Sequence, residues 1–325
     1  MSIGDSSKRS ILVTGATGFV GRPLCEKLMT TYGHVRGAVW IAESEANLPV
    51  GVQPSPIEDI GPTTDWSGAL AGIDTVIHLA ARVHVMDDTS EDPLVAYRLV
   101  NVTGTENLAR QAVANGVRRL VFISTVKVHG EETNVSYTEE DVLAPEDPYG
   151  VSKQEAEDVL REIALETGLE VVILRPPLVY GPGVKANFKR LLETVRRGFP
   201  LPLACLCNKR SLVGLGNLVD AIALCAIHPQ AAGNSYLVSD GEDVSTPELV
   251  RLIATAFGRS SRLFPVPIAI MRLVGTLTGK GATIDRLAGS LTVDITKIRR
   301  DLCWKPPYSM AQGLAETVEW FKKQF

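Results

Sequence analysis

The stretch LVTGATGFVGR, Leu12–Arg22, carries glycines at 15, 18 and 21, directly after an apolar run and directly before a helical pattern. The spacing alone is weak evidence, because glycine is common in strand-to-helix turns and the usual dinucleotide fingerprint sets its first two glycines closer together. Context gives it weight. A strand over Ser10–Thr14 precedes the turn and a helix over Phe19–Tyr32 follows it. In that setting glycines tighten the turn, let a pyrophosphate approach the backbone, and leave a helix N-terminus facing the anion. Gly15, Thr17, Gly18, Phe19, Val20, Gly21 and Arg22 are therefore candidate cofactor-binding residues.

Outward from this turn, short β-branched runs alternate with longer helical patterns. Strands are expected at His34–Trp40, Thr75–Leu79, Arg119–Ser124 and Glu170–Leu174, with helices over Asp92–Asn115 and Pro148–Thr167. Such alternation builds right-handed crossover units, so the fold class is α/β, a Rossmann-type doubly wound parallel sheet. From Val179 onward Gly and Pro become frequent and the alternation breaks down into helices joined by short strands such as Ser235–Val238. Residues 1–178, with returning segments, are read as the dinucleotide-binding domain, and residues 179–325 as a smaller, mainly substrate-binding portion.

A ribose-gripping acid is expected at the end of the second strand. That position reads VWIAES, with Trp40 where the acid would stand. Glu43 and Glu45 follow it, and Arg22 and Arg36 offer charge for a 2′-phosphate, which leaves NAD and NADP both open with a lean to NADP. Asp59, followed by Ile60 after a short third strand, offers a carboxylate to an adenine amino group. Leu79, Ala80 and Ala81 end the next strand in mostly small side chains, past which a cofactor's backbone can run.

Tyr149 and Lys153 stand four apart at the start of a helix, with Asp147 placed to cap it and Pro148 at its first position. That spacing puts the phenol and the ammonium on one helix face. A lysine cation beside the phenol is expected to lower the tyrosine pKa towards a working value. Ser124 and Thr125 end the Arg119–Ser124 run and bring hydroxyls to the sheet's C-terminal edge, where ligands of such sheets bind.

A net charge of -4 gives no general reason to expect nucleic acid or an anionic membrane as partner. Five cysteines without disulfide or zinc spacing point to reduced thiols in a cytoplasmic protein, and no metal site is expected. The polar start MSIGDSSKRS has no apolar signal region, so secretion is not expected. FPVPIAIMRLVGTLTGKG, Phe264–Gly281, holds two prolines and Arg272 in its apolar run. It is too short and interrupted to span a membrane and is read as a buried or interface-facing helix.

Together TGATGFVG, VIHLAA, NVTGTENL, FISTVKVHGE, YGVSK, LRPPLVYGPG, RSLVGLGNLVDAI and VDITKIRRDLCWKP resemble the extended short-chain dehydrogenase/reductases of the nucleotide-sugar epimerase and reductase branch, over nearly the whole chain. The resemblance implies Thr125, Tyr149 and Lys153 as the proton-handling triad with Ser124 beside it, and Asn101 as the central-helix residue that supports the site. It implies Pro176 and Pro177 beside the cofactor's carboxamide end, and departs at His129, where relatives often have Tyr or Asn. Around a UDP-sugar it implies Arg82, His84 and Lys127 near the sugar, Asn187 near the diphosphate, and Arg210 and Arg286 as two guanidinium forks on it.

ARVHVMDD, STVKVHGE and GPGVKANF look more like bacterial reductases of UDP-4-keto-6-deoxy-N-acetylhexosamines, which serve O-antigen and capsule precursors, than like UDP-galactose 4-epimerases. An NAD(P)-dependent 4-keto reductase is the leading expectation, a UDP-hexose 4-epimerase with bound NAD the alternative, and a non-catalytic dinucleotide sensor the third reading. The resemblance also allows a homodimer through the helices around Asp92–Asn115 and Pro148–Thr167.

Overall fold

The computed structural model describes residues 9–41, 48–83, 92–279 and 281–324, without the side chains of 282 and 283. Ten strands run in chain order among them: β1 Ile11–Thr14, β2 Val35–Trp40, β3 Gln53–Ile57, β4 Thr75–His78, β5 Arg119–Ile123, β6 Glu170–Arg175, β7 Leu178–Tyr180, β8 Arg210–Gly214, β9 Ser235–Leu237 and β10 Asp243–Val244. The helices of the first half are α1 Gly21–Tyr32, α2 Ser67–Leu70, α3 Pro93–Arg98, α4 Gly104–Ala114 and α5 Pro148–Thr167. The later ones are α6 Ala186–Arg197, α7 Leu215–Ile227, α8 Thr246–Ala256, α9 Ile268–Leu277, α10 Gly281–Ala288, α11 Thr296–Leu302 and α12 Met310–Lys322.

Seven strands form one sheet in the order β3-β2-β1-β4-β5-β6-β9, every pairing parallel. Side chains alternate across it, as the period of two requires. Ile11, Val13, Val121 and Val172 join one core with Leu24 and Leu28 of α1 and Ile222 of α7. Leu12, Val76, Leu120 and Phe122 join the opposite core with Leu108 of α4 and Leu160 of α5. A smaller sheet, β10-β8-β7, adjoins a third core in which Tyr180, Phe188, Leu192, Ile253, Leu314 and Phe321 tie α6, α8 and α12 together.

The chain leaves β1 on both sides, towards β2 and towards β4, so the strand order reverses between β1 and β4. A crevice outside the C-terminal ends of those strands is where ligands of doubly wound sheets sit. α5 forms over the residues its sequence predicts: Asp147 Oδ1 accepts from Gly150 N at 2.6 Å, Pro148 opens the helix, and Gly168 stops it in the left-handed conformation.

Two expectations are corrected. Asp92–Asn115 is not one regular helix, because a π turn, Leu99–Thr103, inserts between α3 and α4. Of the two readings of Phe264–Gly281, a buried or an interface-facing helix, the buried one is corrected: α9 buries only Met271 and Gly275, and starts only after Pro267. No helix among the described residues is long and apolar enough to cross a membrane.

Candidate active site

The glycine turn lies at the strand-order switch. Gly15 has φ +66°, and a Cβ there would stand 3.1 Å from Ala80 N, so the end of β1 lies directly against the loop after β4. A Cβ on Gly21 would come within 2.0 Å of Gly15 O, and Gly18 N donates to that same oxygen at 3.0 Å. The turn is closed to any side chain at 15 or 21. Val20 occupies the cap of α1 without a capping side chain, and the helix's first turn holds no acid. A tight glycine cradle at an uncapped, acid-free helix start fits a pyrophosphate. Phe19 packs towards Gly183 and so links the turn to the loop after β7, while Thr17 lies within the turn itself.

Sequence reasoning missed His78, whose signal was a lone histidine in an apolar strand. Its Nδ1 lies 2.7 Å from Thr14 Oγ1, its Nε2 lies 3.0 Å from Thr105 Oγ1, and Thr14 Oγ1 accepts from Ala80 N at 3.2 Å. Burial, with Lys153 adding repulsion, pushes the imidazole down to about 3, so it stays neutral and joins β1, β4 and α4. Leu79, Ala80 and Ala81 are half-buried along this edge.

On the far side of the turn, Asp59 is exposed and its Oδ1 accepts from Thr64 Oγ1 at 2.6 Å, while Ile60 is buried against Gly104. Trp40 ends β2 half-exposed. Arg22 is exposed with Glu26 at 3.6 Å. Arg36 donates to the carbonyls of Gly68, Ala69 and Ala71 at 3.2, 2.7 and 3.1 Å, which ties it to the C-terminal end of α2. The expectation that Arg36 serves a 2′-phosphate is corrected accordingly. Glu43, Glu45 and His84 lie outside the described residues.

β5 delivers Ser124 and Thr125 to the edge of the sheet. Ser124 N donates to Leu174 O at 2.8 Å, and Thr125 caps the short turn Val126–Val128, its Oγ1 accepting from Lys127 N at 3.3 Å. Val126 N donates to Pro176 O at 2.9 Å, which anchors the Pro176–Pro177 segment to the same edge. Tyr149, Lys153 and Glu157 follow at successive turns of α5, on one face.

The Tyr149 ring stands 6.1 Å from that of Tyr97 on α3, and the Arg82 guanidinium lies 5.6 Å over the Tyr97 ring. Lys153 Nζ sits 3.8 Å over the Phe122 ring. Burial, opposed by Glu157, pushes the Lys153 ammonium down to about 7. Burial, then Asp147 and Tyr97, raises the Tyr149 phenol above its ordinary value. The expected lowering of Tyr149 by its lysine neighbour is thereby overturned. Spacing supplies proximity, but desolvation disfavours both charged forms.

Because the fold holds Lys153 below its ordinary value of 10.5, the unfolded chain binds more protons between about pH 7 and 10.5. This group's cost is fully present below about pH 7 and disappears as pH rises through that window. Lys153→Met, which keeps an apolar contact with Phe122, should therefore raise the melting temperature at pH 7 by roughly 3 °C while abolishing turnover. A melting curve at pH 7 and at pH 10 checks this, since the gain should shrink at the higher pH.

Beneath the site lies a charged core. Arg175 Nη2 and Nε donate to the Glu157 carboxylate at 2.6 and 3.1 Å, and both side chains are fully buried. Arg161 adds a contact to Glu157 at 2.7 Å. Burial alone would raise Glu157, but the Arg175 hydrogen bond and charge outweigh it and hold the carboxyl below its ordinary value. His129 Nε2 lies 3.0 Å from Arg175, and burial followed by the Arg175 charge pushes the imidazole down to about 4, so it accepts the guanidinium's hydrogen bond as a neutral ring. Ser124 Oγ is buried over this network with no partner of hydrogen-bonding geometry among the described residues, although its dipole helps keep Glu157 ionised.

Asn101 comes from the π turn. Its Oδ1 accepts from Arg82 N at 2.8 Å, and its Nδ2 donates to Arg82 O and to Ser152 Oγ, each at 3.0 Å. One buried amide thus fastens the loop after β4 to α5. Tyr97, which sequence reasoning also missed, shares this junction.

Lys127 Nζ pairs with Glu131 and Asp147 at 2.6 Å each, so its charge supports the cap of α5. Arg210 is half-buried, held below its ordinary pKa by burial, and donates to Gly289 O at 3.1 Å and Arg286 O at 2.5 Å. That joins β8 to α10, whose Arg286 side chain is exposed. Asn187 is exposed in the first turn of α6. No group of three or more His, Cys, Asp or Glu residues able to hold a metal occurs among the described residues.

Comparison with known proteins agrees with this geometry. Residues 11–239 match the model of the NAD dependent epimerase/dehydratase family. The chain is 47% identical over 326 residues to the UDP-glucose 4-epimerase of Vibrio cholerae, which spans 99% of this chain and 98% of that protein. Among solved structures it is similar to MoeE5 in complex with UDP-glucuronic acid and NAD, with TM-score 0.77, 27% identity, and coverage of 97% of this chain and 100% of that one. It is also similar to DesIV, a dTDP-glucose 4,6-dehydratase from Streptomyces venezuelae with NAD bound, with TM-score 0.75, 28% identity and 97% coverage of each chain. A parallel sheet with a glycine cradle at its switch point, a Tyr–Lys pair on α5 and a family match over most of the chain have one common reading: the protein is a member of the NAD dependent epimerase/dehydratase family, within the extended short-chain dehydrogenase/reductases.

Proposed function

We propose that the protein interconverts UDP-hexoses that differ at C4, with NAD retained through the cycle. The observation that carries this is the convergence of Tyr149, Lys153, Ser124 and Thr125 beside the glycine cradle, at the same sheet edge. A dinucleotide sensor has no need of that convergence. The likeness to a UDP-glucose 4-epimerase across the whole chain supports the epimerase over the 4-keto reductase that the sequence motifs favoured. NAD is favoured over NADP because Arg36 is engaged with α2 and because MoeE5 and DesIV are complexes with NAD.

Gly15, Gly18 and Gly21 would hold the pyrophosphate of NAD, which would supply reversible hydride chemistry at C4. Tyr149 Oη takes the C4 hydroxyl proton and later gives it back, general acid–base work that a phenol performs at neutral pH only with a cation to stabilise its anion. Lys153 is that cation. Burial raises Tyr149 and lowers Lys153, the direction that disfavours the charged form of each. Thr125 binds the sugar oxygen as its charge changes, and Ser124 lies buried beside it over Glu157. Arg82, seated beside Tyr97, Asn187 and the Arg210–Arg286 pair of residues 179–325 are assigned to the sugar and its diphosphate, and Asp59 and Ile60 to the adenosine end.

The test is incubation with UDP-glucose, UDP-galactose, UDP-N-acetylglucosamine and a UDP-4-keto-6-deoxy-N-acetylhexosamine, following epimers by NMR and absorbance at 340 nm. Epimer exchange without net cofactor change supports the proposal. Stoichiometric loss of added NADPH or NADH with the keto sugar alone overturns it in favour of the reductase, and absence of turnover with every sugar favours the sensor.

A further inference from the structure

α9 is built with its better apolar stripe facing outward. Met271 and Gly275 face inward, and a Cβ on Gly275 would lie 2.4 Å from Ile284 of α10, so the helix is seated closely on its neighbour. Ile270, Leu273, Val274 and Leu277 occupy i, i+3, i+4 and i+7, a single stripe, and are 52, 62, 51 and 79% exposed. Phe199 and Phe264 are exposed too, and their segments are held together by Leu201 N donating to Arg262 O at 2.8 Å and Phe264 N donating to Leu201 O at 3.0 Å.

Charge is segregated on the same segments. From Leu249 to Ile284 the chain has no acid but carries Arg251, Arg259, Arg262, Arg272 and Lys280. From Thr194 to Val219 it again has no acid but carries Arg196, Arg197, Lys209 and Arg210. In a protein of net charge -4, two paired stretches are thus purely basic. Arg197 and Arg262 are exposed beside the phenylalanines, and Arg272 is exposed on α9 with Asp285 at 3.1 Å.

We propose that this face docks the protein on an anionic lipid surface, with α9 lying in the plane of the headgroups and its apolar stripe turned into the acyl boundary. Apolar side chains rimmed by arginines match that environment. A second copy of the chain does not: a two-fold contact through this face would oppose Arg197 and Arg262 to a surface with the same cations and no acid from the same stretches. The proposal is independent of which sugar the protein acts on.

The full chain is sedimented with vesicles of phosphatidylcholine alone and with vesicles containing roughly one third phosphatidylglycerol. Arg197 and Arg262, with Arg272 balanced by Asp285, predict an affinity on the order of thirtyfold higher for the anionic vesicles, weakened strongly between about 0.1 M and about 1 M salt. Leu273→Asp with Leu277→Asp should abolish sedimentation with both side chains already in solvent, leaving the melting temperature and sugar turnover unchanged. Arg197→Glu with Arg262→Glu should remove the preference for anionic vesicles. Equal sedimentation with neutral and anionic vesicles overturns the proposal. So does a wild-type dimer that Leu273→Asp with Leu277→Asp splits without any vesicle binding in either form.

Discussion

Tyr149→Phe should lower kcat about 10³-fold with UDP-glucose, with KM moved by less than about threefold. The substitution removes one oxygen and keeps the ring, so the packing against Tyr97 at 6.1 Å and the cap of α5 by Asp147 persist. What is lost is the atom proposed to exchange a proton with the sugar. An unchanged circular dichroism spectrum with an equally retained nucleotide would assign the loss to chemistry. If the variant turns over within about tenfold of the wild type, Tyr149 is not the proton carrier.

Glu157→Leu should destabilise the fold by about 3–5 kcal/mol, because it leaves Arg175 charged, buried and without its carboxylate. Urea titration of the variant reads that value. The double replacement Glu157→Leu with Arg175→Met should recover most of it, since removing both charges removes the stranded one. The pH dependence carries a definite sign. The folded Glu157 pKa lies below its ordinary 4.5, so the wild type's extra stability is present above that pH and is lost as pH falls through the folded value, while the double variant lacks this component. Equal costs for single and double variants would mean that packing, not charge, decides the position.

Much of the sheet and the α5 site was readable from the chain, for local reasons. Asp147 and Pro148 announce the start of α5 and Gly168 its end, so Tyr149 and Lys153 fall into place from their spacing alone. The glycine turn gained its meaning from a strand before it and a helix after it. Readings failed where the deciding partner was distant in sequence. Nothing near His78 announces Thr14 or Thr105, and nothing near Glu157 announces Arg175. The pKa of Tyr149 followed burial and the neighbouring Asp147 and Tyr97, which the Tyr149–Lys153 spacing does not encode. The apolar period of Phe264–Gly281 identified a helix, yet period alone does not say which of two apolar stripes a core will cover. Arg36 looked like a phosphate ligand only until α2 supplied three carbonyls for it.

The π turn at Leu99–Thr103 has a consequence for the evolution of the site. A π turn amounts to one extra residue threaded into a helix, so everything before it is rotated by about 100° relative to a regular continuation. α3 thereby turns Tyr97 towards Tyr149 while α4 keeps Leu108 on the sheet, two headings that an uninterrupted helix would have to reconcile. Asn101 sits at the seam. Loss of a single codon in that turn would leave a longer, more regular helix with Tyr97 turned away from Tyr149, so the irregularity functions as a phase shifter that holds two separately optimised surfaces in step.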